Sequence, residues 1–357
     1  MMVEKKNHKI AVIGGDGIGP EVIREGLKVL RAASEAIGFN FLTKEFPYGS
    51  DHYLETGELL PEAALAELKT FDAIYLGALG DPRCEPGLVE HGIISSIRFK
   101  LDLYINLRPI NPYADHLVPL KNKLAKDIDF VVVRENTEDL YTNLGGIFKK
   151  GTQDEVALAQ MIFTRRGVER AVRYAFELAR KRDGRKKLTL VDKANAIRAM
   201  DIWTRTFAEV GEEYPDIEKD HAYVDACCMW MIKNPEDFDV LVANNIFGDI
   251  ITDLGAMLQG GMGVAASGNI HPGKVSMFEP IHGSAPKYKG QNKAIPIAAI
   301  SAVAMMLDYL GERIGAELIN SAIQRCLNGG KIPDLSASRG LSTTEIGDII
   351  ADAVQNP

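Results

Sequence analysis

Asp249 and Asp253 stand four residues apart in Asn244-Asn245-Ile246-Phe247-Gly248-Asp249-Ile250-Ile251-Thr252-Asp253. In a helix, residues i and i+4 share one face, so both carboxylates can address the same object. Two anions on one face repel unless a cation or a hydrogen-bond donor lies between them. An oxygen-only donor set suits a hard divalent ion, Mg²⁺ or Mn²⁺. A third acid, Asp225, precedes them in Tyr223-Val224-Asp225-Ala226. The spacing alone also describes a solvated acidic helix face. The interleaved Ile246, Phe247, Ile250, Ile251 and Leu254 argue for a half-buried segment, and buried carboxylates need partners.

Three arginines stand in contexts suited to anion binding: Arg98 in Ser95-Ser96-Ile97-Arg98-Phe99, Arg108 in Asn106-Leu107-Arg108-Pro109, and Arg134 at the end of an apolar run. Guanidinium groups grip carboxylates bidentately, so a convergent set implies a di- or tricarboxylate. Singly, each is more often a surface or ion-pair residue. Tyr141, seven residues after Arg134, and Lys193, in Val191-Asp192-Lys193-Ala194-Asn195, are candidates for proton transfer. Both have high reference pKa values that metals and arginines can tune. Spacing leaves a structural phenol and a salt-bridged lysine open. The loop Gly15-Asp16-Gly17-Ile18-Gly19-Pro20-Glu21 lacks the G-x-G-x-x-G pattern, and Pro20 removes a phosphate-binding donor. A tight strand-to-helix turn is its plain alternative.

The elements that must position these groups are legible in outline. Lys9–Ile13 reads as a buried strand, followed by a helix from Pro20 to about Ala36, a strand over Asn40–Phe46, a helix over Pro61–Leu68 and a strand over Ala73–Leu76. That alternation predicts a parallel α/β sheet. A second unit starts near Leu103, with strands at Phe130–Arg134, Leu188–Val191 and Val240–Ala243 and a helix over Thr164–Lys181. An α/β body interrupted by a central insertion is the predicted layout. The 357 residues are 46% hydrophobic and 25% charged, a globular profile, and the net charge of -8 argues against nucleic acid as a partner. The charged N-terminus shows no secretory signal. The apolar run Ala294 to Leu307 is broken by Pro296 and short for a membrane span. The four cysteines form no C-x-x-C pair. A cytoplasmic protein with no membrane association is expected.

Seven motifs occur in order along the chain: Gly15–Glu21, Asn106–Pro109, Arg134–Tyr141, Asp192–Asn195, Tyr223–Ala226, Asn245–Asp253 and Glu279-Pro280-Ile281-His282-Gly283-Ser284-Ala285-Pro286. Together they resemble the metal-dependent β-decarboxylating dehydrogenases, the isocitrate/3-isopropylmalate dehydrogenase family. The resemblance implies that family's α/β fold, distinct from a Rossmann fold. A large domain from residues 1–103 and 260–357 would hold the cofactor. A small central domain, 104–259, would carry the dimer interface, the metal and the catalytic residues, with Thr142–Thr164 as an arm clasping the partner of a homodimer. It also implies roles. Arg98, Arg108 and Arg134 would clamp the substrate carboxylates, and Tyr141 would protonate the enolate. Lys193 would act as base from the neighbouring subunit. Asp225, also from the neighbour, would join Asp249 and Asp253 around Mg²⁺ or Mn²⁺. A non-catalytic regulatory subunit of the family is disfavoured, because every matched ligand is present.

In such enzymes the residues before Arg98 read the substrate. Ile94 would favour an alkyl group at C3, as in 3-isopropylmalate. The Ser-x-Asn pattern of isocitrate enzymes is absent, and His91 stands where a nicotinamide-contacting Glu is expected, with Glu90 beside it. Oxidation of 3-isopropylmalate to 2-oxoisocaproate, a step of leucine biosynthesis, is the first expectation, with tartrate/D-malate and isocitrate/homoisocitrate as alternatives. His282, Gly283, Ser284, Ala285, Pro286, Lys287, Tyr288 and Ile295 would line the dinucleotide site. Lys287-Tyr288 replaces an Asp-Ile pair typical of NAD enzymes and tilts the expectation slightly from NAD toward NADP. Ile295 replaces a customary Asn.

Overall fold

The computed structural model describes residues 6–182, 184–336 and 340–357. In chain order the elements are β1 (Asn7–Ile13), α1 (Gly19–Ile37), β2 (Asn40–Phe46), α2 (Ser50–Thr56), α3 (Glu62–Leu68), β3 (Ala73–Leu76), α4 (Leu88–Glu90) and α5 (Ser96–Lys100). There follow β4 (Ile105–Ile110), β5 (Phe130–Glu135), β6 (Gly145–Phe148), β7 (Val156–Ala159), α6 (Arg165–Arg182), β8 (Lys187–Asp192), α7 (Asp201–Gly211), β9 (Glu218–Tyr223) and α8 (Val224–Lys233). The chain closes with β10 (Val240–Ala243), α9 (Asn245–Leu258), β11 (Ala266–Ile270), β12 (Ser276–Pro280), α10 (Ile297–Tyr309), α11 (Arg313–Asn328) and α12 (Thr343–Gln355).

Two compact units result. The first comprises residues 1–103, 111–126 and 256–357, and the second 104–110 and 127–255. Residues 111–126, expected in the central domain, group with the first unit. Asn111 N–H donates to Gln259 Oε1 at 3.0 Å, and the Tyr113 hydroxyl meets Ser301 and Asn320 at 2.8 and 3.0 Å. No sequence periodicity announces those bonds.

In the first unit the strand order is β2-β1-β3-β12-β11, parallel except for β11 against β12. Side chains alternate across a strand. Ile10 and Val12 therefore join the core under α1, α10, α11 and α12, whereas Ala11 and Ile13 join the opposite core with Leu65, Leu68 and Ile97. β1 and β3 are covered on both faces, which is why they read as continuous apolar runs, whereas the edge strand β2 is mostly exposed. Ser342 and Glu345 form a reciprocal capping box that starts α12.

In the second unit the order is β4-β5-β10-β8-β9, with β4 antiparallel to β5 and the rest parallel. α6 buries Val168, Ala171, Val172, Ala175 and Phe176 at helical spacing. β6 and β7 form a separate antiparallel hairpin whose Ile147, Phe148, Val156 and Leu158 are all exposed. Among the described residues no helix is long and apolar enough to cross a membrane.

Candidate active site

Four elements of the second unit bring charge to one place. β5 carries Arg134 one residue before its end, only 1% exposed. Its Nε donates to Asn245 Oδ1 at 2.9 Å, and its Nη1 donates to Asp249 Oδ1. α9 approaches β5 this closely because Gly248 faces Arg134; a Cβ there would lie 2.6 Å from Arg134 Cγ. From β4, Arg108 Nε donates to Asn106 Oδ1 at 2.7 Å, using the same-face i, i+2 spacing of a strand. Arg108 Nη1 donates to Thr252 Oγ1 at 2.6 Å, and its guanidinium lies 3.3 Å from Asp249 and 3.6 Å from Asp253. Asp249 Oδ1 thus joins both arginines, while Asp249 Oδ2 accepts from the Tyr141 hydroxyl. The Arg134 guanidinium sits 5.1 Å from the Tyr141 ring centroid, a cation–π contact.

The electrostatics follow from burial. Burial pushes the Tyr141 phenol up to about 12, and the bond to Asp249 adds to the rise. A phenol holds its proton at neutral pH even unperturbed, and this shift moves it further from ionising. Burial also pushes the Asp253 carboxyl up; Arg108 opposes the shift and Asp249 adds to it. Asp249 and Asp253 form the oxygen-only pair their spacing predicts, on one side of α9. That donor set fits a hard divalent cation, which would relieve the repulsion raising Asp253.

Lys193 and Asp225 form a second cluster. Lys193 follows β8, Asp225 lies in the first turn of α8, and their charged groups are 2.5 Å apart. The lysine holds the Asp225 carboxyl below its ordinary range. Among the described residues no group of three His, Cys, Asp or Glu side chains is disposed to hold a metal. One chain therefore does not unite Asp225 with Asp249 and Asp253.

The remaining candidates lie in the first unit. Arg98 Nη2 donates to Glu279 Oε1 at 2.9 Å, and Asn269 donates to the same oxygen at 2.7 Å. Arg98 Nε is buried with no partner among the described residues, a donor free for a ligand. Ile94 is half-buried against the core containing Val89 and Ile97. It sits in a π-helical turn, His91–Ser95, a distortion often found at functional positions. In the loop of residues 282–288, burial lowers the His282 imidazole, whose Nε2 has no partner. Ala285 takes a left-handed φ of 39°. Lys287 is exposed, its Nζ 4.8 Å from the Tyr288 ring. Ile295 packs beside Gly263.

The glycine loop braces that segment. Ile18 N–H donates to Ser284 O at 2.8 Å, and a Cβ at Gly17 would lie 1.9 Å from the same oxygen. Sequence reasoning did not single out Asn106, Thr252, Asn245 or Glu279 as anchors of the arginines. Asn106 carried a signal, two residues before Arg108 on a strand; Glu279 opens the seventh motif, but nothing local pairs it with Arg98.

These folds and this constellation define the class: the chain belongs to the isocitrate/isopropylmalate dehydrogenase family, which matches residues 9–350. The "3-isopropylmalate dehydrogenase" of Thermobifida fusca (strain YX) is 48% identical, with 97% of each chain covered. That of Mycobacterium avium (strain 104) is also 48% identical, over 97% of this chain and 100% of its own. Among solved structures, isocitrate dehydrogenase from Methylococcus capsulatus superposes with a TM-score of 0.87 at 36% identity, covering 98% of this chain and 99% of that one.

Proposed function

We propose that this protein catalyses the oxidative decarboxylation of 3-isopropylmalate, using a divalent cation, Mg²⁺ or Mn²⁺, and NAD or NADP. The observation that carries the reading is the meeting of Arg108, Arg134, Tyr141, Asp249 and Asp253 around α9. Cationic forks, a protonated phenol and a carboxylate pair together suit a hydroxy-diacid. The names of relatives at 48% identity support the alkyl-substituted substrate.

Arg108 and Arg134 bind and orient carboxylates, and Arg98 offers its free Nε to another. Asp249, Asp253 and Asp225 would hold the cation. When bound, the cation supplies charge stabilisation at the 2-oxygen and the nicotinamide supplies a hydride acceptor. In its neutral form, Lys193 takes the hydroxyl proton. Once carbon dioxide has left, Tyr141, a protonated phenol at neutral pH, returns a proton to carbon.

Because Lys193 and Asp225 travel together, a second copy of the chain is their proposed route to the site. Exposed Met229, Trp230 and Ile232 on α8 and Ile250 on α9 supply an apolar surface for that copy. The exposed Lys287 supports a modest preference for NADP. Initial rates with 3-isopropylmalate, D-malate, tartrate, isocitrate and homoisocitrate, each with NAD and NADP, test the reading. The highest kcat/KM on 3-isopropylmalate is expected; a higher value on any other acid overturns the assignment.

A further inference from the structure

We infer that Asp139 is a positioning residue that fixes Tyr141 relative to Asp249, an inference that rests on the proposed oxidative decarboxylation. Asp139 is fully buried and takes a left-handed φ of 74°. That conformation disfavours a non-glycine side chain, whereas glycine adopts it freely. Aspartate is among the few side chains that tolerate it, and here the side chain is put to use. The use is visible. Asp139 Oδ2 accepts from Ile246 N–H at 3.0 Å and from Asn244 Nδ2 at 2.5 Å. Its Oδ1 accepts from Leu140 N–H at 2.8 Å.

Ile246 is in the first turn of α9, where backbone N–H groups lack partners within the helix. The Asp139 carboxylate therefore caps α9 from outside the helix, and its charge suits the helix dipole. Tyr141 follows two residues later, and Asp249 follows Ile246 by three. Their side chains meet through the Tyr141–Asp249 bond. A closed ring results: carboxylate of Asp139 to α9, along α9 to Asp249, across to Tyr141, and back along the chain to Asp139. The backbone of Asp139 is pinned as well, its N–H donating to Ile162 O at 2.9 Å and its carbonyl accepting from Thr142 Oγ1 at 2.8 Å. Thus the loop carrying the proton donor and the helix carrying two acids share one buried anchor.

The test compares Asp139→Gly with Asp139→Asn. Glycine relieves the backbone strain and deletes the carboxylate. Asparagine tolerates the left-handed region, and its amide oxygen in the Oδ2 position keeps the bonds from Ile246 and Asn244 while losing the one to Leu140. Asp139→Gly should lower kcat on 3-isopropylmalate by about 10- to 100-fold with a smaller change in KM, since about 1 Å of misplacement costs that much. Asp139→Asn should keep kcat within about 3-fold. Hydrogen exchange in peptides spanning residues 244–250, measured without substrate, should accelerate in Asp139→Gly and stay near wild type in Asp139→Asn. Unchanged exchange in Asp139→Gly, or equal kcat losses in both variants, would overturn the inference. A wild type that ignores 3-isopropylmalate would instead overturn the proposed function, while the exchange arm still reports on the anchor.

Discussion

Adding one methyl group at Gly248 should separate activity from stability. A Cβ at 248 would lie 2.6 and 2.7 Å from Arg134 Cγ and Cβ. Carbon atoms pack at about 3.5–4.0 Å, so Gly248→Ala must part α9 from β5 by roughly 1 Å. Two stability effects oppose each other. Overpacking costs about 1–3 kcal/mol, while alanine gains about 1 kcal/mol over glycine in a helix interior. The net loss is therefore at most about 2 kcal/mol, small enough for the protein to remain folded. Activity has no such compensation. Arg134 is buried and cannot swing away, and Asp249 is the next residue on the displaced helix. Roughly 1 Å of misplacement predicts a loss of about 100-fold in kcat/KM for 3-isopropylmalate. Steady-state kinetics and thermal melts on one preparation read both quantities. Wild-type kcat/KM in a folded Gly248→Ala protein would refute the claim that this contact sets the site.

Asp253→Asn should raise the Mg²⁺ or Mn²⁺ concentration needed for half-maximal rate by at least about tenfold, one charged ligand contact; full wild-type activity after exhaustive chelation would end the metal assignment. Mixing inactive Lys193→Ala and Tyr141→Phe proteins under subunit exchange should restore part of the activity, because one hybrid site is intact; no recovery despite demonstrated exchange would place both residues in one subunit's site. Lys287→Asp should shift the NADP/NAD ratio of kcat/KM toward NAD on the order of 10–100-fold; an unchanged ratio would mean Lys287 stays in solvent. Burial pushes Glu135 up to about 7 despite bonds from Thr137 and Glu138. The folded state then holds this proton to higher pH than the unfolded chain. Stability from this group is full below about pH 4.5 and falls by up to about 3 kcal/mol as pH rises to about 7. Glu135→Gln should flatten that part of the stability–pH curve; parallel curves for both proteins would refute it.

Much of the site was legible in residues 244–253 because helical spacing is a local property. Asp249 and Asp253 share a face whatever surrounds them; the apolar residues between them predict burial, but Ile250 and Asp253 are exposed, and of the two isoleucines only Ile251 is fully buried. The strands at 73–76, 130–134 and 240–243 were equally plain, since a sheet covered on both faces leaves unbroken apolar runs. The glycine loop was harder to read. Its left-handed residues suggest a turn, but only the fold brings Ser284 O against Gly17.

The sequence by itself determined the apolar strands at 9–13, 73–76, 130–134, 188–191 and 240–243 with the helices at 20–36 and 164–181, the pairing of acids on α9, and the set of charged residues available for chemistry. All of these depend on backbone periodicity and side-chain type over a few neighbouring positions. The tertiary structure decided which charges meet. Arg108 and Asp249 are 141 positions apart, Asp139 and Ile246 are 107 apart, and Arg98 finds Glu279 across 181. No local pattern encodes such contacts, because they arise only when strands from distant parts of the chain align and low-dielectric burial makes each charge seek a partner.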